Sequence, residues 1–410
     1  KKMNKETTIG ASYFIELEER YGAHNYHPLP VVLSRGEGVF VWDTEGKQYF
    51  DFLSSYSAVN QGHCHPRIVA SLVEQAGKLA LTSRAFYNDK LGEYEKYVTK
   101  LFGYDKLLPM NSGAEAVETA IKLCRKWAYK NKDIARNQAK IIFCEGNFHG
   151  RTISIISAST DPTASTNYGP FTPGYVIIPY NNLAALEDAL SDPNVAGFIV
   201  EPIQGEAGVV VPDDGYLSKA AELCKQNNVL FIADEIQTGL ARTGKMLACE
   251  YENVKPDILI LGKALSGGML PVSAVLANDD IMLTIQPGEH GSTYGGNPLA
   301  CVVAQTSLQV ILDEKLAENA TNLGKILRDE LNKFKHEMLT TVRGKGLMNA
   351  IVIKPNKGKN AWDVCLKLAA NGILAKPTHG DIIRFTPPLV MTEEQLFECI
   401  AIIKKTISEF

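Results

Sequence analysis

Residues 229–235 read VLFIADE, an unbroken run of five apolar residues that ends in two carboxylates. A strand of a parallel sheet is covered on both faces and is therefore apolar throughout, without the alternation that a half-exposed strand shows. Three shorter runs of the same kind lie at residues 141–143, 198–200 and 258–261, and helix-period segments separate them. This alternation predicts an α/β fold with a mostly parallel sheet.

The chain has 410 residues, which is more than one ordinary hydrophobic core accommodates. We predict an N-terminal segment of residues 1–66, a large domain of residues 67–316, and a smaller C-terminal α+β domain of residues 317–410. The elements predicted outside the large domain are strands at residues 38–42, 48–52, 350–353 and 382–385, and helices at residues 316–334, 362–370 and 393–407.

The composition argues against several classes of protein. The formal net charge of −4 comes without a basic patch, so we expect no nucleic-acid partner. We expect no membrane partner either, because no segment approaches the roughly 20 apolar residues of a bilayer-spanning helix. Residues 1–6, KKMNKE, lack the apolar stretch of a secretion signal. Eight cysteines without a C-x-x-C pair indicate reduced, mostly buried thiols. We expect a cytoplasmic protein; a mitochondrial-matrix chain without its transit peptide would look the same.

Each apolar run is followed closely by residues that can take part in chemistry. Phe148 follows the first run, Glu201 the second, Asp234 and Gln237 the third, and Lys263 the fourth. Ligands of open α/β sheets bind beyond the carboxyl ends of the strands. Because a buried charge costs several kcal/mol unless it is paired, these residues predict one crevice with a shared function.

Lys263 could act as a nucleophile, since desolvation at a strand end favours the neutral amine that attacks a carbonyl. The alternative is a lysine that extends its amine to solvent. A nucleotide-binding loop does not fit, because Ala264 stands where that motif needs Ser or Thr. Asp234 could keep a pyridinium nitrogen protonated, or it could cap a following helix.

Residues 111–116, NSGAEA, open a strongly amphipathic helix. Its start at Ser112 and Gly113 offers free backbone N–H groups to a phosphate, although a simple capped helix is an equal alternative. Phe148 lies between glycines that would let a flat ring approach, or it packs in the core. Residues 62–66, GHCHP, suggest a metal cluster, but without a second distant cluster we expect these side chains to pack and hydrogen-bond.

Together these residues resemble the class-III aminotransferases of fold type I, from residues 21–26 (YGAHNY) to residues 381–385 (DIIRF). The most specific stretches are residues 148–152, 201–206, 233–239, 262–265 and 290–298. The resemblance implies a mostly parallel-sheet large domain, a smaller C-terminal domain, pyridoxal 5′-phosphate as cofactor, and a homodimer with shared active sites.

By this resemblance, Lys263 carries the cofactor and moves the proton during amino transfer. Asp234 pairs with the pyridine nitrogen, Gln237 contacts the phenolic oxygen, and Phe148 stacks on the ring. The residues implied at the phosphate are Ser112, Gly113 and Ala114, with Ser292 and Thr293 of a second subunit.

The resemblance also implies L-ornithine and 2-oxoglutarate as substrates. Tyr26 and Arg151 would hold the α-carboxylate of ornithine, and Tyr56 would line the pocket. Arg151 and Arg384 would bind the two carboxylates of 2-oxoglutarate, while Glu206 would pair with Arg384 during the ornithine half-reaction. The tyrosines favour ornithine over acetylornithine or 4-aminobutyrate.

Two other classes stay open on the residues alone. An isomerase with the same cofactor would shift an amine within one molecule and would need no keto acid. A non-catalytic cofactor-binding protein would tolerate the loss of Lys263.

Overall fold

The structure is a computed structural model that describes residues 10–410. The stretch at residues 1–6, from which we expect no secretion signal, lies outside the described residues. Within residues 10–410, no helix is both long enough and apolar enough to cross a bilayer. All eight cysteines are free, and all except Cys64 are buried, as predicted.

The strands of the described chain form three sheets. In chain order they are β1 (Leu33–Glu37), β2 (Phe40–Asp43), β3 (Gln48–Asp51), β4 (Lys106–Met110), β5 (Lys140–Cys144), β6 (Tyr175–Ile178), β7 (Val195–Val200), β8 (Leu230–Asp234), β9 (Ile258–Leu261), β10 (Ser273–Ala277), β11 (Leu339–Lys345), β12 (Met348–Ile353), β13 (Ile373–Leu374), β14 (Pro377–Thr378) and β15 (Ile382–Phe385).

Helices cover and connect these sheets. In chain order they are α1 (Ala11–Tyr21), α2 (Ser54–Ser57), α3 (Pro66–Ala76), α4 (Leu91–Phe102), α5 (Gly113–Asn131), α6 (Ile153–Ile156), α7 (Pro162–Ser165), α8 (Leu183–Leu190), α9 (Tyr216–Gln226), α10 (Asp279–Met282), α11 (Pro298–Asp313), α12 (Leu316–Lys333), α13 (Ala361–Ala370) and α14 (Glu393–Ser408).

The largest sheet has the strand order β4-β10-β9-β8-β7-β5-β6. Strands β5 to β9 are parallel to one another, and β10 runs antiparallel to both β9 and β4. The chain adds β6 on one side of β5 and β7 on the other, so the carboxyl ends of β5 and β7 flank a topological switch point. Ligands of such sheets bind at this point.

Apolar cores lie on both faces of this sheet, which explains the unbroken apolar runs. Ile232 packs with helix α5 on one face, whereas the adjacent Phe231 and Ala233 pack with α8 and α9 on the other. Because successive side chains of a strand point to opposite faces, both faces require apolar residues. The α/β fold class predicted from the sequence is confirmed.

The other two sheets have the orders β1-β2-β3-β13 and β11-β12-β15-β14. Strand β13 lies parallel to β3, with Ile373 opposite Phe50, so residues near both ends of the chain share one sheet. The boundaries proposed at residues 66 and 316 remain predictions. The predicted strands at 350–353 and 382–385 correspond to β12 and β15, and the three predicted C-terminal helices correspond to α12, α13 and α14.

Helix α2 is a left-handed turn. Its four residues have φ values of 49°, 48°, 59° and 73°, and Ala58 N donates to Ser54 O at 2.9 Å. None of the four is glycine. The left-handed conformation costs about 1–2 kcal/mol per residue for L-amino acids. The turn is therefore strained and requires support from its surroundings.

Candidate active site

A cavity of about 190 Å³ lies beyond the carboxyl ends of β5, β7, β8 and β9. Its lining combines charged, aromatic and backbone groups from the loops after these strands and from the start of α5. The lining residues are Gly113, Ala114, Phe148, His149, Gly150, Glu201, Glu206, Asp234, Ile236, Gln237, Thr238 and Lys263. The side chains that follow the four apolar runs therefore meet in one crevice, as the sequence predicts.

Asp234, at the end of β8, is 4% exposed and is held at both oxygens. His149 Nδ1 lies 2.6 Å from Oδ2, and Ile236 N donates to Oδ1 at 3.1 Å. The bond from Ile236 is the local capping contact that the alternative interpretation of Asp234 expects. Burial opposes protonation of His149, but the hydrogen bond and the charge of Asp234 outweigh burial and raise the pKa of the imidazole.

Glu201, directly after β7, lies beside this pair. Its carboxylate accepts from Phe148 N at 2.9 Å and from Gly205 N at 3.4 Å. Burial raises the pKa of Glu201 to about 7; His149 opposes the shift and the charge of Asp234 adds to it. Besides Asp234, the site thus contains the carboxyl group of Glu201, which is largely protonated below neutral pH.

Lys263 follows β9 in a left-handed backbone conformation, with a φ of 44°. Its Nζ has no hydrogen bond or ion pair to any residue between 10 and 410, and it lies 5.9 Å from the centroid of the Tyr56 ring. Burial lowers the pKa of Lys263; Glu206 opposes this effect and the charge of Arg384 adds to it. A buried, unpaired amine with a lowered pKa has the properties of a nucleophile.

The start of helix α5 supplies two free donors. In a capping box, Ser112 N donates to Glu115 Oε2 at 2.7 Å and Glu115 N donates to Ser112 Oγ at 3.2 Å. The N–H groups of Gly113 and Ala114 have no acceptor in the described chain and line the cavity. A 19-residue helix also presents the positive end of its dipole here. This geometry suits a phosphate group.

Gln237 and Phe148 form two further walls of the cavity. Gln237 Nε2 donates to the backbone oxygen of Tyr56 at 3.1 Å. Its Oε1 faces Gly205 so closely that a Cβ at this glycine would lie 1.4 Å away. The guanidinium of Arg151 lies 5.6 Å from the centroid of the Phe148 ring, and Arg151 itself is exposed and outside the cavity lining.

Glu206 and Arg384 form an ion pair at the edge of the cavity. Arg384 Nη1 lies 2.7 Å from Glu206 Oε1, and the side chain of Arg384 is only 3% exposed. The guanidinium is also 5.5 Å from the centroid of the Tyr56 ring. Burial raises the pKa of Tyr56, the nearby Tyr26 and Glu206 add to the shift, and Arg384 opposes it. Tyr26 is 68% exposed.

The two residues implied at the phosphate from a second subunit lie outside this cavity in the single chain. Ser292 Oγ accepts from Asn111 Nδ2 at 2.8 Å and from Gly295 N at 3.0 Å, so it lies next to the start of α5 in its own chain. Thr293 is exposed. Their contribution across a subunit interface remains a prediction.

Sequence reasoning missed the contact between His149 and Asp234. His149 directly follows Phe148 and is fully buried at its side chain, with Nε2 unpaired among the described residues. The available signal was its position in the loop after β5, next to a residue already assigned to the site. Glu201 was identified as a strand-end carboxylate, but no chemical role was assigned to it.

The site suits pyridoxal 5′-phosphate on four structural grounds. It has an unpaired buried amine, a carboxylate held in a fixed orientation, an aromatic wall and two free N–H groups at a helix start. The family model of the class-III aminotransferases matches residues 21–407. The chain therefore belongs to this family and is a pyridoxal-phosphate-dependent aminotransferase.

Individual relatives match over nearly the whole chain. It is 66% identical to an ornithine aminotransferase, mitochondrial, from Drosophila melanogaster, over 99% of this chain and 95% of the relative. An ornithine aminotransferase structure from Toxoplasma gondii is 48% identical, with a TM-score of 0.96 over 100% of this chain and 99% of the other. A structure named acetylornithine aminotransferase, from Elizabethkingia anophelis, is 63% identical, with a TM-score of 0.90 over 98% and 100%.

Proposed function

We propose that this enzyme transfers the δ-amino group of L-ornithine to 2-oxoglutarate. The products are L-glutamate and L-glutamate 5-semialdehyde, which cyclises to pyrroline-5-carboxylate and so connects arginine metabolism with proline biosynthesis. The observation that carries this proposal is the ion pair between buried Arg384 and partly exposed Glu206, at the edge of the Lys263 cavity. The names of the Drosophila and Toxoplasma relatives support ornithine as the amino donor.

Bound pyridoxal 5′-phosphate supplies an electron sink that stabilises negative charge on the carbon bearing the amine. Lys263 would hold it covalently, and Asp234 would keep its ring nitrogen protonated. Gly113 and Ala114 would donate to its phosphate, next to Ser112. Two further contacts are proposed from Phe148 on the face of the ring and from Gln237 at the phenolic oxygen.

The chain's own residues prepare the proton transfers. Burial lowers the pKa of Lys263 and so favours the neutral amine more than in a free lysine, which suits an Nζ that accepts and returns a proton. Asp234 must stay ionised in a buried position, and the contact from His149 stabilises that charge. The hydrogen bond also fixes the orientation of the carboxylate.

Glu206 gives the site a way to accept two different substrates. Ornithine brings its side-chain amine to Lys263 and carries no carboxylate at that end, so Arg384 would be an uncompensated buried charge without Glu206. We propose that Tyr26 and Arg151 hold the distant α-carboxylate and that Tyr56 lines the pocket.

The second substrate, 2-oxoglutarate, has two carboxylates and needs two cations. One would bind Arg384, which exchanges Glu206 for the substrate, and the other would bind Arg151. A bidentate contact between arginine and carboxylate would supply both affinity and orientation. With this exchange of partners, the buried guanidinium of Arg384 is paired with a carboxylate in both half-reactions.

A visible absorption spectrum of the holoenzyme tests the two half-reactions separately. Ornithine alone should remove the absorption band of the bound cofactor, and 2-oxoglutarate should then restore it. Lys263→Ala should show neither change, with Lys78→Ala, an exposed lysine, as the matched control. Turnover of ornithine without any keto acid would instead indicate an isomerase, and activity that survives in Lys263→Ala would contradict the assignment.

Acetylornithine is the second candidate substrate, because the Elizabethkingia structure bears that name at 63% identity. Steady-state kcat/KM values for ornithine, acetylornithine and 4-aminobutyrate decide between these amines. We expect ornithine to be preferred by at least tenfold, which corresponds to about 1.4 kcal/mol of transition-state binding. A preference for acetylornithine would reassign the substrate and leave the cofactor site unchanged.

We also propose a homodimer in which each site is completed by Ser292 and Thr293 of the other subunit. The compartment has two candidates: the name of the Drosophila relative includes the word mitochondrial and so favours that organelle, and the other two names give no compartment. The cytoplasm therefore remains the alternative.

A further inference from the structure

The left-handed turn Ser54–Ser57 places Tyr56 in the active site. The Lys263 amine lies 5.9 Å and the Arg384 guanidinium 5.5 Å from the centroid of the Tyr56 ring. Four consecutive residues with positive φ and without glycine are rare, because each adopts a conformation that L-residues avoid. Strain that persists at a site is maintained by contacts around it.

Asp51 holds the start of this turn. Its Oδ1 accepts from Leu53 N at 3.0 Å and from Ser54 N at 2.8 Å, and its Oδ2 lies 2.7 Å from His63 Nε2. Asp51 is 8% exposed and the His63 side chain is 21% exposed, so water reaches these contacts only in part. One carboxylate thus joins the turn to the GHCHP segment, which the cofactor site does not use.

His63 is itself fixed in place. Its backbone pairs with Gly38, with N to O distances of 2.8 and 3.0 Å, and its ring packs so closely on Gly36 that a Cβ there would lie 3.0 Å from it. At the same end of the turn, Thr386 Oγ1 donates to Leu53 O at 3.0 Å. The start of the turn is therefore held by residues outside the cavity, whereas Gln237 of the cavity wall holds Tyr56 O.

We infer that Asp51 and His63 are positioning residues that determine amine affinity by holding the left-handed turn and, through it, the Tyr56 ring. The inference rests on the proposed role of Tyr56 in the substrate pocket. It gives the GHCHP segment a function other than metal binding, in which the imidazole of His63 orients a carboxylate and the carboxylate orients a backbone turn.

Replacing His63 tests this inference. His63→Leu removes the partner of Asp51, whereas His63→Gln retains a side-chain N–H that can donate to it. We expect His63→Leu to raise both the KM and the dissociation constant of the amine about tenfold, and His63→Gln to stay within about twofold of the wild type. The dissociation constant comes from spectral titration of the holoenzyme without keto acid. Both are measured with the amine that the wild type prefers, so a wrong substrate assignment does not affect the test.

A double-mutant cycle separates positioning from a merely structural role. If His63 acts through Tyr56, then His63→Leu should change the amine dissociation constant by less than about twofold in a Tyr56→Ala background. Equal effects in both backgrounds would contradict the inference. So would an amine affinity within twofold of the wild type in folded His63→Leu.

Two further variants cover a failure to fold. Ser55 is exposed, and Ser55→Gly removes strain because glycine adopts the left-handed conformation freely. If His63→Leu alone does not fold, the cycle is run with Ser55→Gly in every chain. If that combination also does not fold, Asp51→Asn is used in place of His63→Leu, and the same changes in the amine dissociation constant are expected. Asn keeps an acceptor for the two backbone N–H groups.

Discussion

Among single residues, Arg242 is the largest fully buried side chain. No carboxylate in the described chain pairs with it; instead its guanidinium donates to Leu347 O at 2.9 Å, Pro387 O at 2.6 Å and Asn60 Oδ1 at 2.7 Å. Burial lowers the pKa of Arg242 to about 9. This residue links the loop after β8 to the N-terminal segment and to the C-terminal part of the chain.

We predict that Arg242→Met lowers the free energy of unfolding by about 2–4 kcal/mol, because it leaves three buried acceptors without donors. Urea denaturation of the holoenzyme measures the change, and Arg136→Met, at an exposed position, is the control. Equal midpoints for the two variants would show that the three hydrogen bonds contribute little.

Glu201 should make stability depend on pH. Its pKa is raised to about 7 in the folded chain by burial and is about 4.3 in an unfolded chain. The folded state holds the proton more tightly, so the stabilisation is complete below the unfolded value and is lost as pH rises through about 7. The contribution of Glu201 should fall by on the order of 2–3 kcal/mol between about pH 5 and pH 8. Glu201→Gln should have a flatter profile in urea denaturation, whereas exposed Glu187→Gln should follow the wild type.

The sequence predicts residues such as Lys263 and Asp234 because they directly follow apolar runs, and a strand end has a defined place in a parallel sheet. His149 has no such marker. Its contact with Asp234 depends on how the loop after β5 folds over the end of β8, which are separated by 85 residues. Tyr56 was assigned through the resemblance, and its strained backbone was not foreseen, since LSSYS contains no glycine or proline.

At the scale of elements, the loop after β5 packs against the start of α5, at the proposed phosphate site. Gly150 has a φ of 134°, and a Cβ there would lie 2.9 Å from the Cβ of Ala114. We predict that Gly150→Ala weakens cofactor binding at least tenfold and lowers the free energy of unfolding by about 1–3 kcal/mol. Fluorescence titration of the cofactor-free enzyme and urea denaturation measure these effects.

Gly92 provides the control for this substitution. It lies in helix α4, and a Cβ added there would have nothing within 4 Å, so Gly92→Ala should keep cofactor affinity and raise stability by up to about 1 kcal/mol. Loss of cofactor affinity in both variants would indicate a general effect of alanine rather than the contact with Ala114.

Element prediction succeeded where one periodicity dominates. β9 and β15 were predicted to the residue, and the apolar face of α5 is buried as expected. Strand β10 was missed although it is buried throughout, because its apolar run at residues 274–277, AVLA, is half alanine, which is depleted in strands. Helix α1 was also missed: it buries none of its residues within this chain, and its apolar side chains Tyr13, Phe14, Ile15 and Leu17 are exposed.

For the whole molecule, the proposed dimer predicts complementation between inactive chains. If Thr293 of one subunit completes the site of the other, then Lys263→Ala and Thr293→Asp chains should be inactive as homodimers. Mixed dimers should regain one intact site, and hence about half of the activity per dimer, because the remaining Lys263 and the remaining Thr293 meet in it. Activity of refolded mixtures, with dimer mass measured by light scattering, tests this.

A site formed within one chain would give no recovery, since every chain in the mixture carries a defect. The surface is consistent with a subunit interface. Tyr87 is fully exposed, Phe86 is 69% exposed, and Tyr294, next to Thr293, is 57% exposed. Exposed aromatic side chains are enriched where subunits meet.

The pairing of β3 with β13 has a consequence for biosynthesis. Strand β3 at Phe50 pairs with β13 at Ile373, so more than three hundred further residues must be synthesised before this strand pair can form. Nascent chains would carry an open strand edge for most of translation, and such edges recruit other strands. We therefore expect chaperones to bind the strands β1, β2 and β3 of the nascent chain until β13 has emerged from the ribosome.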